Sequence, residues 1–377
     1  MELTVLNPSF EKIYILDTYE SLIWVDKFNE PGTFEIYTPV TDDILTYLVK
    51  DNYLINPDSE HVMIIEDFSL ESDSESGDHI KIIGRSLESI LDRRIVWKDT
   101  SFKEKHNLQK AIQKLITRAM INPEGTSSDK ANRTIANFRF LEETSDTTIT
   151  SLKLEDGAQY QGQTLLEIIQ GLCTDKKIGF KITLSDSYEF VFTLYNGVDR
   201  SYRQTINPYV VFRPSFDNVI NSNYKEENSK VKTFAYVVGE GEVGSRKEEL
   251  VGDSSLKGIN RRELFVDASN ISQTVRQEDD AETKSIIDDT QYLKLLKQRG
   301  EKELAQIKKD IKSFDGKCET TRLYRYGRDF FMGDIVQMAN EYGMEASSRI
   351  TEFTWNYSTS EIETYPTFTA VEEEENS

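Results

Sequence analysis

The residue pattern most suggestive of chemistry is a glycine-rich run, Gly239–Gly244, which reads GEGEVG. Its glycine spacing is that of a loop that binds the pyrophosphate of a dinucleotide, and an apolar strand precedes it. Two glutamates, however, stand where the pyrophosphate would bind and would repel it. The residues that follow, 245–249, do not begin an apolar helix. We therefore interpret the run as a loop between strands and predict no cofactor site.

Histidine and cysteine, which often serve in catalysis and metal binding, are scarce in this chain. The three histidines, His61, His79 and His106, do not form the paired motif of a zinc-protease helix. The two cysteines, Cys173 and Cys318, provide neither a disulfide framework nor four zinc ligands. We predict no catalytic residue and no metal site, and we expect Cys173 to lie on the apolar side of a helix.

A serine in the segment Gly84–Glu88, which reads GRSLE, is a further candidate nucleophile. The segment lacks the second glycine of a nucleophile elbow. Ser86 is better placed to begin a short helix over 86–94, because serine oxygens accept hydrogen bonds from the free N–H groups of a first helical turn. We therefore interpret Ser86 as a structural residue.

Length and composition indicate a well-solvated protein of two to four domains. The chain has 377 residues, of which 37% are hydrophobic and 29% are charged. No stretch approaches the ~18 consecutive apolar residues that are needed to span a bilayer. The first residues, 1–5, lack the basic and apolar regions of a secretory signal, so we expect folding and assembly in a cytoplasm.

The net charge of −21 argues against nucleic acid as a partner. Affinity for nucleic acid comes mainly from lysine and arginine side chains that neutralise phosphates, so we predict no specific nucleic-acid binding. The last residues, 372–377, include a run of glutamates and are expected to form a solvated acidic tail.

Hydrophobic periodicity divides the first part of the chain into two regions. Residues 3–95 are rich in predicted strands, and an α+β region follows over 96–205. In that region, apolar residues recur at helical spacing over 108–120. Thr164 and Glu167 form a capping-box pattern at the start of a second helix.

The remainder of the chain alternates between strands and one long helix. A β-hairpin is predicted over 180–194, whereas 124–150 is rich in small polar residues and is predicted to be a surface loop. Strands return over 206–275, and apolar spacing predicts a helix from about Asp280 to Lys312. Gly300 lies within its apolar stripe, where it permits close approach of another backbone. The helix can cover its own sheet or form a coil between subunits, and we expect the first.

Two stretches that are far apart in the sequence share one pattern. Val62–Leu70 and Ser348–Trp355 each hold an Ile-x-acid-Phe core in a long predicted strand. Each follows a short apolar strand, at Asp51–Ile55 and at Gly333–Val336. So short a pattern also arises by chance, but true duplication would give the chain internal pseudo-symmetry. Such a subunit can form a ring that matches a partner of twice its copy number.

Several motifs in a fixed order resemble the tail-hub proteins of long-tailed bacteriophages and prophages. The resemblance extends over nearly the whole chain, and the order and spacing of the motifs carry it. They are Ser21–Glu35, Met63–Glu66, Gly84–Leu87 with Leu91–Arg94, Thr164–Ile169 with the hairpin after Gly179, and Gly333–Val336 with Arg349–Glu352.

This resemblance implies an α+β, β-dominated multidomain fold with two pseudo-symmetric β-barrel-like hub domains, an α+β insert and a long helix. Five segments are expected. They are a first hub domain at 1–95, completed by strands near 206–225; the insert at 96–205; a second hub domain at 226–275 with 317–371; the long helix at 276–316; and the acidic tail at 372–377.

The resemblance also implies a function at the tail tip or baseplate of a virion. In similar hubs, the two domains alternate in a homotrimer that forms a pseudo-sixfold ring on the hexameric distal tail protein. Such a hub closes the tail tube, takes part in DNA ejection, and contacts the tape-measure protein and tail fibre or receptor-binding proteins. We expect ring contacts at aromatic residues of the β domains, namely Trp24, Phe330, Phe331 and Trp355.

The sequence is also compatible with two other functions. Some relatives continue into a peptidoglycan-cleaving domain, but this chain ends at Ser377, just past the last predicted hub strand, so we expect no lytic activity. A host-receptor or carbohydrate-binding role is the third possibility, because aromatic residues on β-rich surfaces can stack on sugars.

Overall fold

The protein is described here by a computed structural model. It describes residues 1–73, 77–102, 105–141, 146–154, 158–226, 229, 231–242, 244–277, 280–309, 312–359 and 362–371. The acidic tail predicted at 372–377 lies outside the described residues. Strands dominate and form several sheets, which confirms the predicted β-dominated fold class.

One continuous sheet of eleven strands holds most of the β-structure. Its strands are β1 (Leu3–Leu6), β2 (Lys12–Leu16), β3 (Ser21–Lys27), β4 (Thr33–Pro39), β5 (Tyr53–Ile55), β6 (Val62–Asp73), β7 (Gly77–Ser86), β13 (Val211–Phe212), β21 (Ile335–Ala339), β22 (Glu345–Ser358) and β23 (Ile362–Ala370). Their order is β13-β21-β22-β3-β4-β7-β6-β5-β1-β2, and β23 pairs with β22.

This sheet is open in the described part of the chain. Both of its end strands, β2 and β13, lack a second strand partner there, so no closed barrel is seen among the described residues. A short helix, α1 (Asp42–Tyr47), connects β4 to β5. Side chains alternate between inward and outward, so that Leu22, Trp24 and Asp26 of β3 are buried.

The α+β region packs around the two predicted helices. They are α2 (Leu108–Ile116, continued by a π turn at Thr117–Ile121) and α5 (Leu165–Lys176). The capping box of Thr164 and Glu167 is confirmed, because each side chain accepts a hydrogen bond from the other residue's backbone N–H. The predicted hairpin is confirmed as β11 (Gly179–Leu184) and β12 (Phe190–Tyr195).

The loop predicted over 124–150 contains regular structure instead. It holds α3 (Ser127–Arg133), β9 (Phe138–Phe140) and α4 (Thr147–Ser151), while 142–145 lies outside the described residues. A capping box between Thr126 and Asp129 begins α3, and β9 extends the hairpin sheet in parallel with β12. Two short strands, β8 (Thr100–Ser101) and β10 (Gln159–Tyr160), pair nearby.

A third cluster of buried residues lies around a separate small sheet. Its strands are β15 (Phe234–Val238), β16 (Glu248–Gly252) and β17 (Glu263–Asp267), and α6 (Asp289–Lys309) packs on it. The long helix therefore begins later than predicted, because 280–286 forms strand β19 (Asp280–Ile286), which pairs with β18 (Thr274–Gln277). The predicted domain boundaries themselves stay predictions.

The remaining strands form a two-stranded ladder. They are β14 (Val219–Glu226) and β20 (Lys312–Cys318), which pair with each other in antiparallel fashion. In the sequence, β14 precedes the small sheet and its helix, and β20 follows them. Short 3₁₀ turns occur at Leu87–Arg93, Pro214–Phe216 and Gly258–Asn260.

Gly300 lets α6 approach the small sheet, as predicted. A Cβ atom at this position would lie 2.6 Å from Val237 Cγ2 and 2.8 Å from Val251 Cγ2. We expect Gly300→Leu to lower the free energy of unfolding by about 1–3 kcal/mol, because overpacking outweighs the gain in helix propensity. Urea denaturation measures this effect. The neighbouring exposed position provides the control, since Glu301→Leu should change stability by less than about 0.5 kcal/mol.

Candidate assembly surface

The two stretches that share a sequence pattern also share their backbone geometry. Asp51 and Gly333 both adopt left-handed backbone conformations, with φ of 67° and 86°. The N–H of Asp51 donates to the carbonyl of Ile65 at 2.9 Å, and the N–H of Gly333 donates to that of Ile350 at 2.9 Å.

The matching continues along both strand pairs. Ile65 N donates to Asn52 O at 2.9 Å, just as Ile350 N donates to Asp334 O at 2.9 Å. Beyond these bonds, β5 pairs with β6 and β21 pairs with β22 at the same relative register. The sequence pattern is therefore a repeated piece of structure and not a chance similarity.

Both long strands carry a β-bulge at the equivalent position. In β6 the register shifts between Ile65 and Asp67, and in β22 it shifts between Ile350 and Glu352. Each bulge lies inside the Ile-x-acid-Phe core. A bulge bends a strand and increases its twist, so each long strand can leave one neighbour and face another.

The repeat extends to five strands in the same chain order. We call β3, β4, β5, β6 and β7 the first unit, and β14, β20, β21, β22 and β23 the second unit. In each unit a strand pair precedes a short strand, a long bulged strand and a returning strand. The small sheet and α6 lie between β14 and β20, at the position of the short β3–β4 turn.

The two units meet along one strand ladder. After its bulge, β22 leaves β21 and pairs with β3, from Glu352 opposite Lys27 to Ser358 opposite Ser21. Lys27 Nζ lies 3.2 Å from Glu352 Oε1, and Trp24 stands directly opposite Trp355. This ladder, which we call the junction, shows how one unit binds the next.

Replacing Gly333 with alanine is expected to destabilise the second unit. The left-handed φ costs a non-glycine residue roughly 1–2 kcal/mol, and the added Cβ would lie 2.3 Å from Phe28 Cε2. We expect a loss of about 1–3 kcal/mol in the free energy of unfolding, measured by urea denaturation. Asp51→Gly is the matched variant in the first unit, and there the same reasoning predicts a neutral or slightly stabilising effect.

Three of the four aromatic residues predicted to form ring contacts lie in the core of a single chain. Trp24 and Phe330 are fully buried and Trp355 is 4% exposed, whereas Phe331 is 41% exposed. The first three therefore pack within the protomer and present almost no surface to another copy. Phe331 alone remains a proposed contact residue.

An aromatic cluster beside the junction includes one residue that the sequence patterns did not single out. Tyr326 stacks on Phe353 with ring centroids 3.9 Å apart, and Phe353 meets Trp355 edge-on at 4.7 Å. Phe330 packs edge-on against Phe212 at 5.7 Å. These contacts bring β13, β22 and the segment before β21 together, which fixes the second unit against the junction.

A buried charged cluster connects the first unit to the α+β region. His61 Nδ1 lies 3.0 Å from Glu88 Oε1, and the same carboxylate oxygen accepts a hydrogen bond from Ile182 N at 2.8 Å. Asp26 accepts hydrogen bonds from Trp24 Nε1 at 3.0 Å and from Ser59 Oγ at 2.7 Å. Four separate segments of the chain thus meet at one polar site.

The charges of this cluster follow from its burial. Burial alone lowers the pKa of His61, but the carboxylates of Glu88 and Asp26 outweigh that effect and raise the pKa to about 9. Burial also favours neutral Glu88, yet the positive charge of His61 keeps the pKa of Glu88 below its ordinary value. Burial raises the pKa of Asp26. At neutral pH, His61 and Glu88 form a solvent-shielded ion pair that serves structure.

The equivalent polar residues Asn52 and Asp334 each hold a different loop. Asn52 Nδ2 donates to Tyr47 O at 2.8 Å at the end of α1. Asp334 accepts hydrogen bonds from Val198 N at 2.7 Å and from Arg200 Nε at 2.7 Å. Both side chains are buried. Each unit therefore has a hydrogen-bonded polar residue at this position, but the two residues bind different segments of the chain.

The other candidate chemical residues have structural surroundings. Gly239–Gly244 connects β15 to β16 as predicted, with residue 243 outside the described residues. Ser86 precedes the turn at Leu87–Arg93 but forms no capping bond there, and its Oγ accepts a hydrogen bond from Gly32 N at 2.7 Å. Cys173 is buried among apolar residues, as predicted, and burial raises the pKa of its thiol.

Among the residues that the structure describes, no three His, Cys, Asp or Glu side chains are grouped so that they could hold a metal ion. No helix in these same ranges is both long and apolar enough to cross a membrane.

Three solved structures that share this fold are described as tail proteins, two of them from prophages. The tail protein from Neisseria meningitidis MC58 has a TM-score of 0.59 and 12% identity, covering 98% of this chain and 96% of its own. The 43 kDa tail protein of prophage MuSo2 from Shewanella oneidensis has a TM-score of 0.59 and 10% identity, covering 98% of each chain. Prophage tail protein gp18 from Listeria monocytogenes EGD-e has a TM-score of 0.52 and 13% identity, and the match covers 100% of this chain and 96% of gp18.

The fold is therefore that of a phage tail protein. Residues 2–368 match the Siphovirus ReqiPepy6 Gp37-like protein family, and the chain belongs to that family. No curated protein sequence matches the chain significantly.

Proposed function

We propose that this tail protein is the hub of the tail tip, a homotrimer that docks on the hexameric distal tail protein and closes the tail tube. The observation that supports the proposal is the repeat of one five-strand unit, with the same bulge and the same hydrogen bonds in both copies. Each chain contains two such units, so a trimer presents six similar faces in total. A hexameric partner requires that number.

The proposed place in the virion brings further partners. A hub at the end of the tube would meet the tape-measure protein inside it and tail fibre or receptor-binding proteins outside it. Opening of the hub would let DNA leave during ejection. The net charge of −21 supports a passage to which DNA does not adhere, provided that acidic residues line it.

The mass of the purified protein in solution tests this proposal. We expect the mass of three chains alone, and a complex of three chains with six distal tail subunits when the two proteins are mixed. A strict monomer at high concentration, both alone and in the mixture, would contradict the proposal. A zymogram on host cell walls tests the structural role separately, because a clearing band would reveal lytic activity instead.

A further inference from the structure

The first unit exposes a strand edge whose counterpart in the second unit is covered. After its bulge, β6 pairs with β7 along one edge over Asp67–Asp73, and within the described ranges its other edge has no strand partner. In the second unit the equivalent edge of β22 is covered by β3. An uncovered edge presents free N–H and C=O groups that favour pairing with another strand.

Apolar side chains follow this edge and are exposed in the single chain. Phe68 and Leu70 are 47% and 55% exposed, whereas their counterparts Phe353 and Trp355 are 2% and 4% exposed. Phe68 and Phe353 are equivalent because each directly follows the acidic residue that ends the bulge, Asp67 in β6 and Glu352 in β22. In the second unit such side chains pack against Tyr326 and form part of the buried core beside the junction. In the first unit the same positions are exposed along a strand edge that no described strand covers.

The second unit contains the strand that would provide this cover. Its member β14 corresponds to β3 of the first unit. Val219 pairs with the buried Cys318 as Leu22 pairs with the buried Ile36, and the chain from Cys318 to β21 has the same length as the chain from Ile36 to β5. Within the described residues, β14 pairs as a strand with β20 alone.

We propose that Asp67–Asp73 of one copy pairs in antiparallel fashion with Val219–Glu226 of a second copy, so that the contact between subunits repeats the junction within each subunit. The inference deepens the proposed function, since it supplies the contact that joins three copies into a ring. The contact is head-to-tail, since each copy offers one edge of each kind, and it forms a ring of three when its rotation brings the third copy back onto the first.

The register of the junction, transferred to this contact, defines which residues meet. Lys27 opposite Glu352 becomes Lys225 opposite Asp67, so a pair of opposite charges recurs at the same place. Val25 opposite Thr354 becomes Asn223 opposite Ser69. The transferred register takes account of the bulge in β14, where the pairing with β20 skips Ile220. Residues of β14 after this bulge are therefore displaced by one position relative to β3.

Cross-linking tests this register between copies. We would prepare Ser69→Cys and Asn223→Cys as single variants and as a double variant, and treat each with a short bifunctional thiol reagent. Directly opposed residues of an antiparallel pair have Cβ atoms ~5 Å apart, within reach of such a reagent. The native Cys173 and Cys318 are buried, so the unsubstituted protein provides the background.

The pattern of products separates the possible outcomes. We expect the double variant to give a covalent trimer, a mixture of the two single variants to give covalent dimers, and each single variant to give neither. As a matched control, Lys12→Cys on the other edge strand, β2, combined with Asn223→Cys, should not cross-link. A trimer by mass that does not cross-link would overturn the strand pairing while leaving the hub function intact. A strict monomer would overturn both.

A charge substitution on the exposed edge provides an independent measurement. Phe68→Glu with Leu70→Glu should leave the fold intact, because both side chains are exposed in the single chain. We expect the mass to fall from that of three chains to that of one, with an unchanged unfolding midpoint of the protomer. Retention of the trimer by this variant would overturn the proposed pairing.

Discussion

Replacing Trp24 with alanine is expected to lower the free energy of unfolding by about 3–5 kcal/mol, which is the usual cost of removing a large aromatic side chain from a packed core. Trp24 is fully buried, stands opposite Trp355 in the junction and donates its indole N–H to Asp26 at 3.0 Å. The substitution leaves a cavity and removes a donor from a buried carboxyl group. Urea denaturation measures the loss.

The third tryptophan provides a matched control. Trp97 is 42% exposed, with the guanidinium of Arg133 3.8 Å from its ring centroid. Trp97→Ala should cost only about 0.5–1 kcal/mol, the range of an exposed cation–π contact. If Trp24→Ala instead left the unfolding curve unchanged but abolished trimers, Trp24 would be a subunit contact, contrary to its position in the structure.

Replacing His61 with alanine is expected to cost about 3–5 kcal/mol, because it leaves the buried carboxylate of Glu88 without its positive partner. Both side chains of this pair are almost fully shielded from water. An exposed ion pair is the control: Arg139 and Glu189 interact at 3.0 Å on the surface, and Arg139→Ala should cost less than about 1 kcal/mol. Equal losses for the two variants would contradict the structural role of the cluster.

The same cluster predicts a dependence of stability on pH. The pKa of His61 is raised from its ordinary 6.5 to about 9, so its contribution is fully present below pH 6.5 and is lost as pH rises through 9. Glu88 has a lowered pKa, so its contribution is present above its ordinary 4.5 and is lost at more acidic pH. The free energy of unfolding should thus decline between pH 6.5 and 9, and His61→Gln should remove that decline.

Local sequence signals predicted the elements that depend on neighbouring residues. The helix at 108–120, the hairpin at 180–194 and the capping box of Thr164 are confirmed because periodicity, turn residues and caps act over a few positions. The repeated Ile-x-acid-Phe pattern also led to a correct prediction, since it marks the same bulge in both units.

Features that depend on distant residues were not predictable in the same way. Aromatic residues suit both cores and subunit contacts, so residue type alone could not reveal that Trp24, Phe330 and Trp355 are buried. The charged cluster joins His61, Glu88 and other segments that only the fold brings together. A Thr-x-x-Asp capping pattern at Thr126 could have revealed helix α3 within the supposed loop.

The start of the predicted long helix was wrong for another reason. Residues 280–286 pair with β18 as a strand, so the helix begins at Asp289. Acidic residues near 280 are compatible with a helix N-terminus, but a strand partner immediately upstream determines the conformation. Tertiary pairing of this kind overrides local propensity.

Electron-microscopy class averages of the purified protein, viewed along the axis of the particle, test the central claim most directly. If two equivalent units in each chain let three copies match a sixfold partner, the averages will show a closed ring with threefold symmetry and six similar lobes. Single protomers, or rings in which the two units lie at clearly different distances from the axis, would contradict it.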